Sequence, residues 1–412
     1  MNLLKISSLI LIIVALANAQ NYVIVGGAIH TGKGNVIENT NIVIEKGLIK
    51  SISNAIDTAS KKVIYAKGKH IYPGLILLNS NIGLNEIEAV RATQDNTEVG
   101  LLNPNIRSAV AFNSDSDIIP TLRSNGILMA QIVPRGALLP GSSSVMQFTN
   151  NGGKSAEYQL DEGLHIVWPT YYAAGQGEDN SYADTRKKQI ALLEKLFTDA
   201  EAYFKITQNN KNLKLESLKP VFEGSQSLYI RVHYSKEAIE ALAFVRKFKI
   251  KKVVFVGAKE CKSVLNLIAE NKIPVVLDRI HSLPPHMDSE IQYSYTIPFE
   301  MKKAGIQVAL SYEGDMEAMG SRNLSYLAGT ASAYGMNKED ALSLITYNAA
   351  QILGIADKTG SIETGKEANL VISEGDIMDM KTSTVEIAML KGVLLDLNDK
   401  QKELYRRYKK LD

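Results

Sequence analysis

From residue 21 to residue 70 the chain runs in short bursts in which valine and isoleucine alternate with polar residues: YVIVGGAIH, NIVIEKGLIKSIS and KKVIYAKGK, with glycine-containing turns between them. A period of two predicts strands with one buried face, and here an antiparallel module forming half of a β-sandwich. At Ile71 the pattern changes. GILMAQIVP (126–134), SLYIRVH (227–233), KKVVFVG (251–257), KIPVVLD (272–278) and GIQVALS (305–311) are short, nearly continuous apolar runs. Strands apolar on both faces suit a buried parallel sheet. Helical periodicity lies between several of them. After His233, Ser235 can cap a helix with Glu237 in its first turn and Ile239, Leu242 and Ala243 on its apolar face, so 228–257 reads as a strand–helix–strand unit. Repetition of that unit predicts a (β/α)-barrel, with a doubly wound α/β sheet as the competing architecture.

Residues 140–226 are the least regular part. They hold the only tryptophan, Trp168, and the charged amphipathic stretch DTRKKQIALLEKLFTDAEAYFKI, a helix with a solvated face. The region is expected to be an insertion over the barrel mouth together with one or two barrel elements. Strand character returns in GSIETGKEANLVISEGD (360–376) and TVEIAMLKGVLLDL (384–397), before a basic helical tail, NDKQKELYRRYKKLD. The β segments at the two ends are expected to pair. The predicted domains are thus 20–70 plus 356–412 as one composite sandwich and 71–355 as the barrel. The tail is expected to be a solvated surface, with contact to anionic lipid as the alternative.

Composition changes this picture little. Hydrophobic content of 45%, charge of 22% and a net charge of +2 from 46 basic and 44 acidic residues are ordinary for a soluble globular protein and exclude nucleic acid as an expected partner. The first twenty residues are different. Lys5, the apolar stretch Leu9 to Leu16 (LIIVAL within it), and Ala17-Asn18-Ala19 have the layout of a secretory signal peptide over 1–19, with Gln20 as the mature N-terminus. The apolar stretch is shorter than the ~20 residues a span needs, and no later run approaches that length. A soluble product, secreted or periplasmic, is expected. Cys261 is the only cysteine, so no internal disulfide forms; it reads as buried filler on a helix.

The apolar run from Leu75 to Leu78 ends in Asn79 and Asn81, followed by Gly83. Alternation along a strand points the two amides to one side, at the carboxyl end of a buried strand. Arg135, after the strand GILMAQIVP and before a glycine-containing loop, is expected near the same mouth. His233 ends YIRVH, where a strand can offer a metal ligand. His281 and His286, in RIHSLPPHMD, can face the mouth or the surface, whereas His30 and His70 fall in sandwich segments. VGGAIHTGKGN has glycines but no strand-to-helix context for a phosphate loop.

Three stretches carry a family likeness: IYPGLILLNSNIGL, SRNLSYLAGTASAYGMNKEDALSLITYNAAQILGI (321–355) and TGSIETGKEANLVISEGD (359–376). The chain resembles the amidohydrolase superfamily, in its imidazolonepropionase-like and dihydroorotase-like branches. The resemblance implies a metal-dependent (β/α)8 barrel flanked by a β-sandwich built from both chain ends. It implies hydrolysis of carbon–nitrogen bonds other than peptide bonds. In the family a His-x-His pair occupies the places held here by Asn79 and Asn81. A further histidine is expected near VVFVGAKE, where Gly257 or Ala258 stands, and an aspartate after the last strand, where Glu313 or Asp315 is the candidate stand-in for a catalytic carboxylate. The serines of PGSSSV resemble a family loop that closes over substrate. Asn79, Asn81, Arg135 and His281 are the candidate ligand-binding residues and His233 the single possible metal ligand. No cofactor is expected, with zinc or another divalent ion as the one the family chemistry would require, because an amide oxygen is a weak ligand for such an ion where imidazole is a good one. The expected partner is a small molecule in the barrel mouth. Two functions follow: an exported hydrolase of cyclic or linear amides with an incomplete metal site, or a catalytically silent small-molecule-binding relative.

Overall fold

In the computed structural model of the protein, residues 20–55, 58, 60–171, 180–206, 210–314 and 316–409 are described. The expected leader and Asp315 lie outside them. Eight strands form one sheet in chain order: Leu75–Ser80, Ile127–Ile132, Gly141–Gln147, Glu157–Val167, Ser227–Tyr234, Val253–Glu260, Val275–Leu277 and Val308–Leu310. A parallel bridge between Leu78 and Ser311 joins the last strand to the first, closing the sheet into a barrel. The apolar runs explain why. Every residue of the first, second and third strands is buried, as are all three residues of the seventh and eighth, because one face fills the barrel and the other is covered by helices.

One strand departs from the parallel rule. Gly141–Gln147 runs antiparallel to both neighbours, with Ser144 opposite Ile132 and Ser142 opposite Leu164. The serines of PGSSSV therefore lie inside the barrel wall on a strand, not on a loop over the mouth. Serine and glycine hid this strand, since neither carries the apolar signal by which the others were found.

The helix after the fifth barrel strand runs Ser235–Lys247. Its cap forms one residue early: Glu237 accepts from the backbone N–H of His233 at 2.7 Å and of Tyr234 at 3.3 Å, while the Ser235 hydroxyl donates to the Glu260 carbonyl. Its buried face is Ala238, Ala241, Leu242, Phe244 and Val245; of the three residues expected there, Leu242 is buried and Ile239 and Ala243 are exposed. Small alanines let the helix lie close to the sheet, which sequence hydrophobicity alone underrates. Cys261 lies just before a short 3₁₀ turn and is buried, with its thiol pushed up to about 12 by burial.

The sandwich is made from both chain ends. Leu370–Ser373 pairs antiparallel with His70–Pro73, and Val385–Leu390 pairs outside it. A second, four-stranded sheet orders Leu48–Ser53, Asn41–Glu45, Tyr22–Val25 and Lys62–Tyr65. Ile24, Ile29, Ile42, Ile44 and Ile71 from the first end and Ile362, Leu370, Ile372 and Met389 from the second share one core. His30 and His70 sit at the seam with the barrel: His30 Nδ1 lies 2.7 Å from the Glu339 carboxylate and its Nε2 2.9 Å from His70 Nδ1. No helix among the described residues is long and apolar enough to cross a membrane.

Candidate functional site

The carboxyl ends of the barrel strands converge on a cluster of charged side chains. It begins at Asn79, whose φ of 52° places it in the left-handed region, one that asparagine tolerates better than most residues. The register between the first and second strands shifts between Leu77 and Ser80 as a result. This irregularity interrupts the alternation on which the one-sided placement of Asn79 and Asn81 rested. Both are buried, but they do different work. The Asn79 amide faces the cluster, accepting from Arg135 Nη1 at 2.9 Å and donating to Glu313. Asn81 contributes its backbone N–H, to Glu317 at 2.7 Å, and its side-chain oxygen has no protein partner.

Arg135 reaches inward, donating also to the Asn79 carbonyl at 2.8 Å and to Glu317 at 3.2 Å. From the fifth strand, Arg231 donates to Asp278 at 3.2 Å and to Glu313. Glu313 is thus held by two donors on one oxygen, Asn79 and Arg231, while its other oxygen lies 3.9 Å from Arg135. Burial alone raises a carboxyl pKa, and it does so for Asp278 and Glu317, against the pull of Arg231 and Arg135 respectively. At Glu313 the same burial is outweighed by the two guanidiniums and the Asn79 amide, which hold it below the usual carboxylate value.

Gly257 explains what fills the centre. Its φ is +89°, and a Cβ built there would lie 2.8 Å from the Val232 carbonyl oxygen and 3.3 Å from the Asp278 carboxylate. No larger side chain fits without moving the Arg231–Asp278 pair. Arg231 and Asp278 each keep about a sixth of their side-chain surface open, at 15% and 17%, as the floor of an open mouth would.

A divalent ion does not fit this set of residues. The two positions at the first strand carry amides, position 257 carries no side chain, and each of the three carboxylates, Asp278, Glu313 and Glu317, already accepts from a guanidinium. Among the described residues no group of three or more His, Cys, Asp or Glu side chains is placed to hold a metal. His233 is exposed, above Arg231 on the same strand, with no such companions. His281, expected at the mouth, bonds instead to Thr330 at 2.7 Å and lines a separate cleft with Tyr326, Lys338, Asp376 and Met378. His286 is exposed and pairs with Glu260 at 2.9 Å. His286 thus stays at the rim of the sixth strand's end, whereas His281 turns away into that separate cleft.

Beneath the charged layer lies a second polar group inside the barrel. Glu162 accepts from Gln131 at 2.7 Å, from Tyr229 at 3.0 Å and from Ser143, whose hydroxyl is 2.8 Å from His165 Nε2. Gln131 also accepts from the backbone N–H of Asn79 at 3.0 Å, connecting the two layers. Burial pushes the Glu162 carboxyl up to about 7 and the His165 imidazole well down, so His165 is neutral. Sequence reading missed Arg231, Asp278, Glu317 and Glu162. For Arg231 and Asp278 a signal existed: a charge embedded in, or ending, an apolar strand run. For Glu317 and Glu162 there was none, because their partners are distant in sequence.

A model of the Amidohydrolase family matches residues 285–396. The imidazolonepropionase of Flavobacterium johnsoniae is 36% identical over 81 residues, 19% of this chain and 20% of that protein. The chain spans 20% and 26% of the first two imidazolonepropionases it matches. An amidohydrolase from Thermotoga maritima superposes with a TM-score of 0.81 over 91% of this chain and 99% of the other, at 22% identity. A zinc-bound adenosine deaminase from Xanthomonas campestris superposes with a TM-score of 0.53 over 95% and 98%, at 12% identity. At such identities the superpositions speak for the fold alone.

Proposed function

We propose that the chain is an amidohydrolase-superfamily protein, on the imidazolonepropionase-like side, whose barrel mouth receives a small polar compound containing a carbon–nitrogen bond and binds it without the metal-assisted hydrolysis of that family. The coarser placement, a member of a hydrolase family acting on carbon–nitrogen bonds, is supported by kinship. The relatives' name points to imidazolonepropionate as a compound to try first. The observation that carries the finer reading is Arg231, which occupies the centre of the strand ends with Asp278 and Glu313 as its counter-charges. A metal would supply hydroxide by bringing the pKa of water from about 15.7 to about 7, and this centre has fixed cations where that ion would need ligands.

What the chain's own residues offer is recognition. Arg135 and Arg231 hold their guanidinium groups at the strand ends, donating to Asn79 and Glu317 and to Asp278 and Glu313, and Lys259 adds a further positive charge at the sixth strand, its Nζ held by the Arg279 carbonyl at 2.6 Å. Asn79 contributes an amide between them. Such an array suits a carbonyl- or carboxylate-bearing ligand, which forked guanidinium donors recognise geometrically. The layout of residues 1–19 supports export to the periplasm or beyond, which N-terminal sequencing of the secreted or periplasmic product checks.

The test is metal analysis of the purified mature protein, followed by a hydrolysis screen over lactams, imidazolones and linear amides with and without added zinc. Thermal-shift titration of the same compounds reads binding. The expected result is binding without turnover and without a stoichiometric metal. Zinc, manganese or iron near one equivalent, together with turnover, would overturn the reading in favour of a working hydrolase.

A further inference from the structure

We propose that the C-terminal helix Lys400–Tyr408 is an interfacial docking element for an anionic lipid surface. The barrel and sandwich make no use of most of it. None of its residues is buried, and Leu404, Tyr405 and Tyr408 are 40%, 63% and 56% exposed, although each is large and partly or wholly apolar. Among the described residues its contacts with the rest of the fold lie at its start, and Glu403 and Arg406 reach back to Asn398 just before it. Asp399 caps it by accepting from the Lys402 N–H at 2.8 Å, Lys400 lies 3.3 Å from Asp117, and the Gln401 amide oxygen accepts from Thr121 at 2.9 Å.

Its residues are sorted by face. Positions 401, 404, 405 and 408 fall at i, i+3, i+4 and i+7, so Leu404, Tyr405 and Tyr408 form one stripe. Lys402, Arg406 and Lys409 follow one flank at the same spacing, and Lys400 and Arg407 the other. The stretch 400–410 holds six basic residues against one acidic, a net of +5 within a chain whose total is +2, so the remainder carries −3. The positive charge of the protein is concentrated on this helix and the two lysines that follow it.

That arrangement selects a lipid surface over a protein groove. Tyrosine rings belong at headgroup depth, and long lysine and arginine stems extend from an apolar stripe to reach phosphates on either side. A stripe of three side chains on a nine-residue helix is far below the roughly 800 Å² per partner that a stable protein interface buries. Anionic headgroups supply the complementary charge over an unlimited area. Docking of this kind is reversible, because one short helix provides little apolar area.

The experiment is co-sedimentation of the mature full-length protein with vesicles of phosphatidylcholine alone and of phosphatidylcholine with phosphatidylglycerol, at low and high salt. Binding is expected to the anionic vesicles only and to fall as salt screens it. Reversing Arg406, Arg407 and Lys409 to glutamate is expected to weaken it at least about a hundredfold, since each basic residue near such a surface contributes roughly fivefold. Tyr405→Ser with Tyr408→Ser is expected to weaken binding while preserving its salt dependence. All five side chains are exposed, so an unchanged thermal melting curve verifies that folding is intact. Equal binding to neutral vesicles, no binding to anionic ones at low salt, or full binding by the charge-reversed protein would each overturn the proposal. So would concentration-dependent self-association abolished by the tyrosine substitutions without any vesicle binding, which would assign the stripe to a second copy of the chain.

Discussion

The segment from residue 321 to residue 376 and the ends of the barrel strands belong to one fold, yet they hold the family pattern very unequally. In the first, small residues are fixed by contact. A Cβ at Gly329 would lie 2.3 Å from the Met378 carbonyl oxygen, and one at Gly360 would lie 2.4 Å from the Ala350 Cβ. Ala328, Ala331, Ala349 and Ala350 are fully buried around them. Substitution there disturbs a packed interior, which transmits even a methylene's change in volume. At the strand ends Asn79, Asn81 and Gly257 stand where the resemblance to the amidohydrolases leads one to expect metal ligands, and the space is filled by an ion-pair network. The difference teaches that scaffold positions answer to packing, which any function requires, whereas mouth positions answer to chemistry. The mouth can exchange one chemistry for another provided every buried charge retains a partner.

The comparison predicts its largest effect on the scaffold side. Deleting everything after Gly360 removes Leu370–Ser373 and Val385–Leu390, leaves His70–Pro73 as an uncovered edge, and strips Ile362, Leu370, Ile372 and Met389 from the sandwich core. The product is expected to be insoluble, because an unpaired strand edge over a lost core face aggregates. A soluble fragment with a cooperative unfolding transition would show that the two chain ends are not one folding unit.

On the mouth side, Arg231→Met is expected to cost about 3–5 kcal/mol, since it leaves Asp278 and Glu313 facing one another without their shared cation. Urea unfolding measures this loss. Adding Asp278→Asn and Glu313→Gln to the same protein is expected to restore much of it, because the network then has no net charge to leave unpaired. If the triple variant is no more stable than Arg231→Met, the arginine acts through packing and the ion-pair account of the mouth fails.

How much of this was legible in the sequence depended on the range of the interactions. The barrel and sandwich could be read because apolar runs and alternation are local, and Arg135 could be placed because a strand end precedes a loop. The third barrel strand could not, since GSSSVMQ is polar and its burial is imposed by the neighbours it pairs with. The departure from the metal-ligand pattern of the family it resembles was visible at Asn79, Asn81 and Gly257. Its replacement was not, because Arg231, Asp278, Glu313 and Glu317 meet across separations that no local pattern encodes. The helix face at Ile239 was misjudged for a related reason: which stripe is buried is decided by the sheet beneath it, not by hydrophobicity alone.

The two polar layers of the barrel can also be told apart by pH. The Glu162 carboxyl titrates at about 7 in the folded protein and at about 4.3 when unfolded. The folded state therefore holds the proton more tightly, and stability contributed by the protonated form is lost as pH rises from about 4.3 through about 7. Glu162→Gln removes this dependence while preserving the shape of the group. Relative to wild type, the variant is expected to gain roughly 4 kcal/mol across that interval, becoming the more stable of the two above it. Parallel stability–pH curves would mean that Glu162 is ionised throughout and is held so by Gln131, Ser143 and Tyr229.

The smallest expected effect is the most direct test of the mouth. Replacing Asn79 and Asn81 together by histidine introduces the pair that the resemblance leads one to expect, and histidine is among the residues that enter the left-handed region required at position 79. Zinc nevertheless needs about four ligands in a closed tetrahedral site. Here Glu313 remains tied to Arg231, position 257 has no side chain, and Arg135 stands beside the side chain at position 79 as a fixed cation. Calorimetric titration is expected to show no saturable zinc binding by the wild type and only weak, substoichiometric binding by the double variant. Adding Arg231→His releases Glu313 and Asp278 and brings in a third imidazole, so this triple variant is expected to bind more tightly than the double. That order, wild type below double below triple, follows from the number of carboxylates and imidazoles freed at each step. Submicromolar, stoichiometric binding by the wild type would contradict it at the root, because it would mean that ligands other than these residues complete a metal site at the barrel mouth.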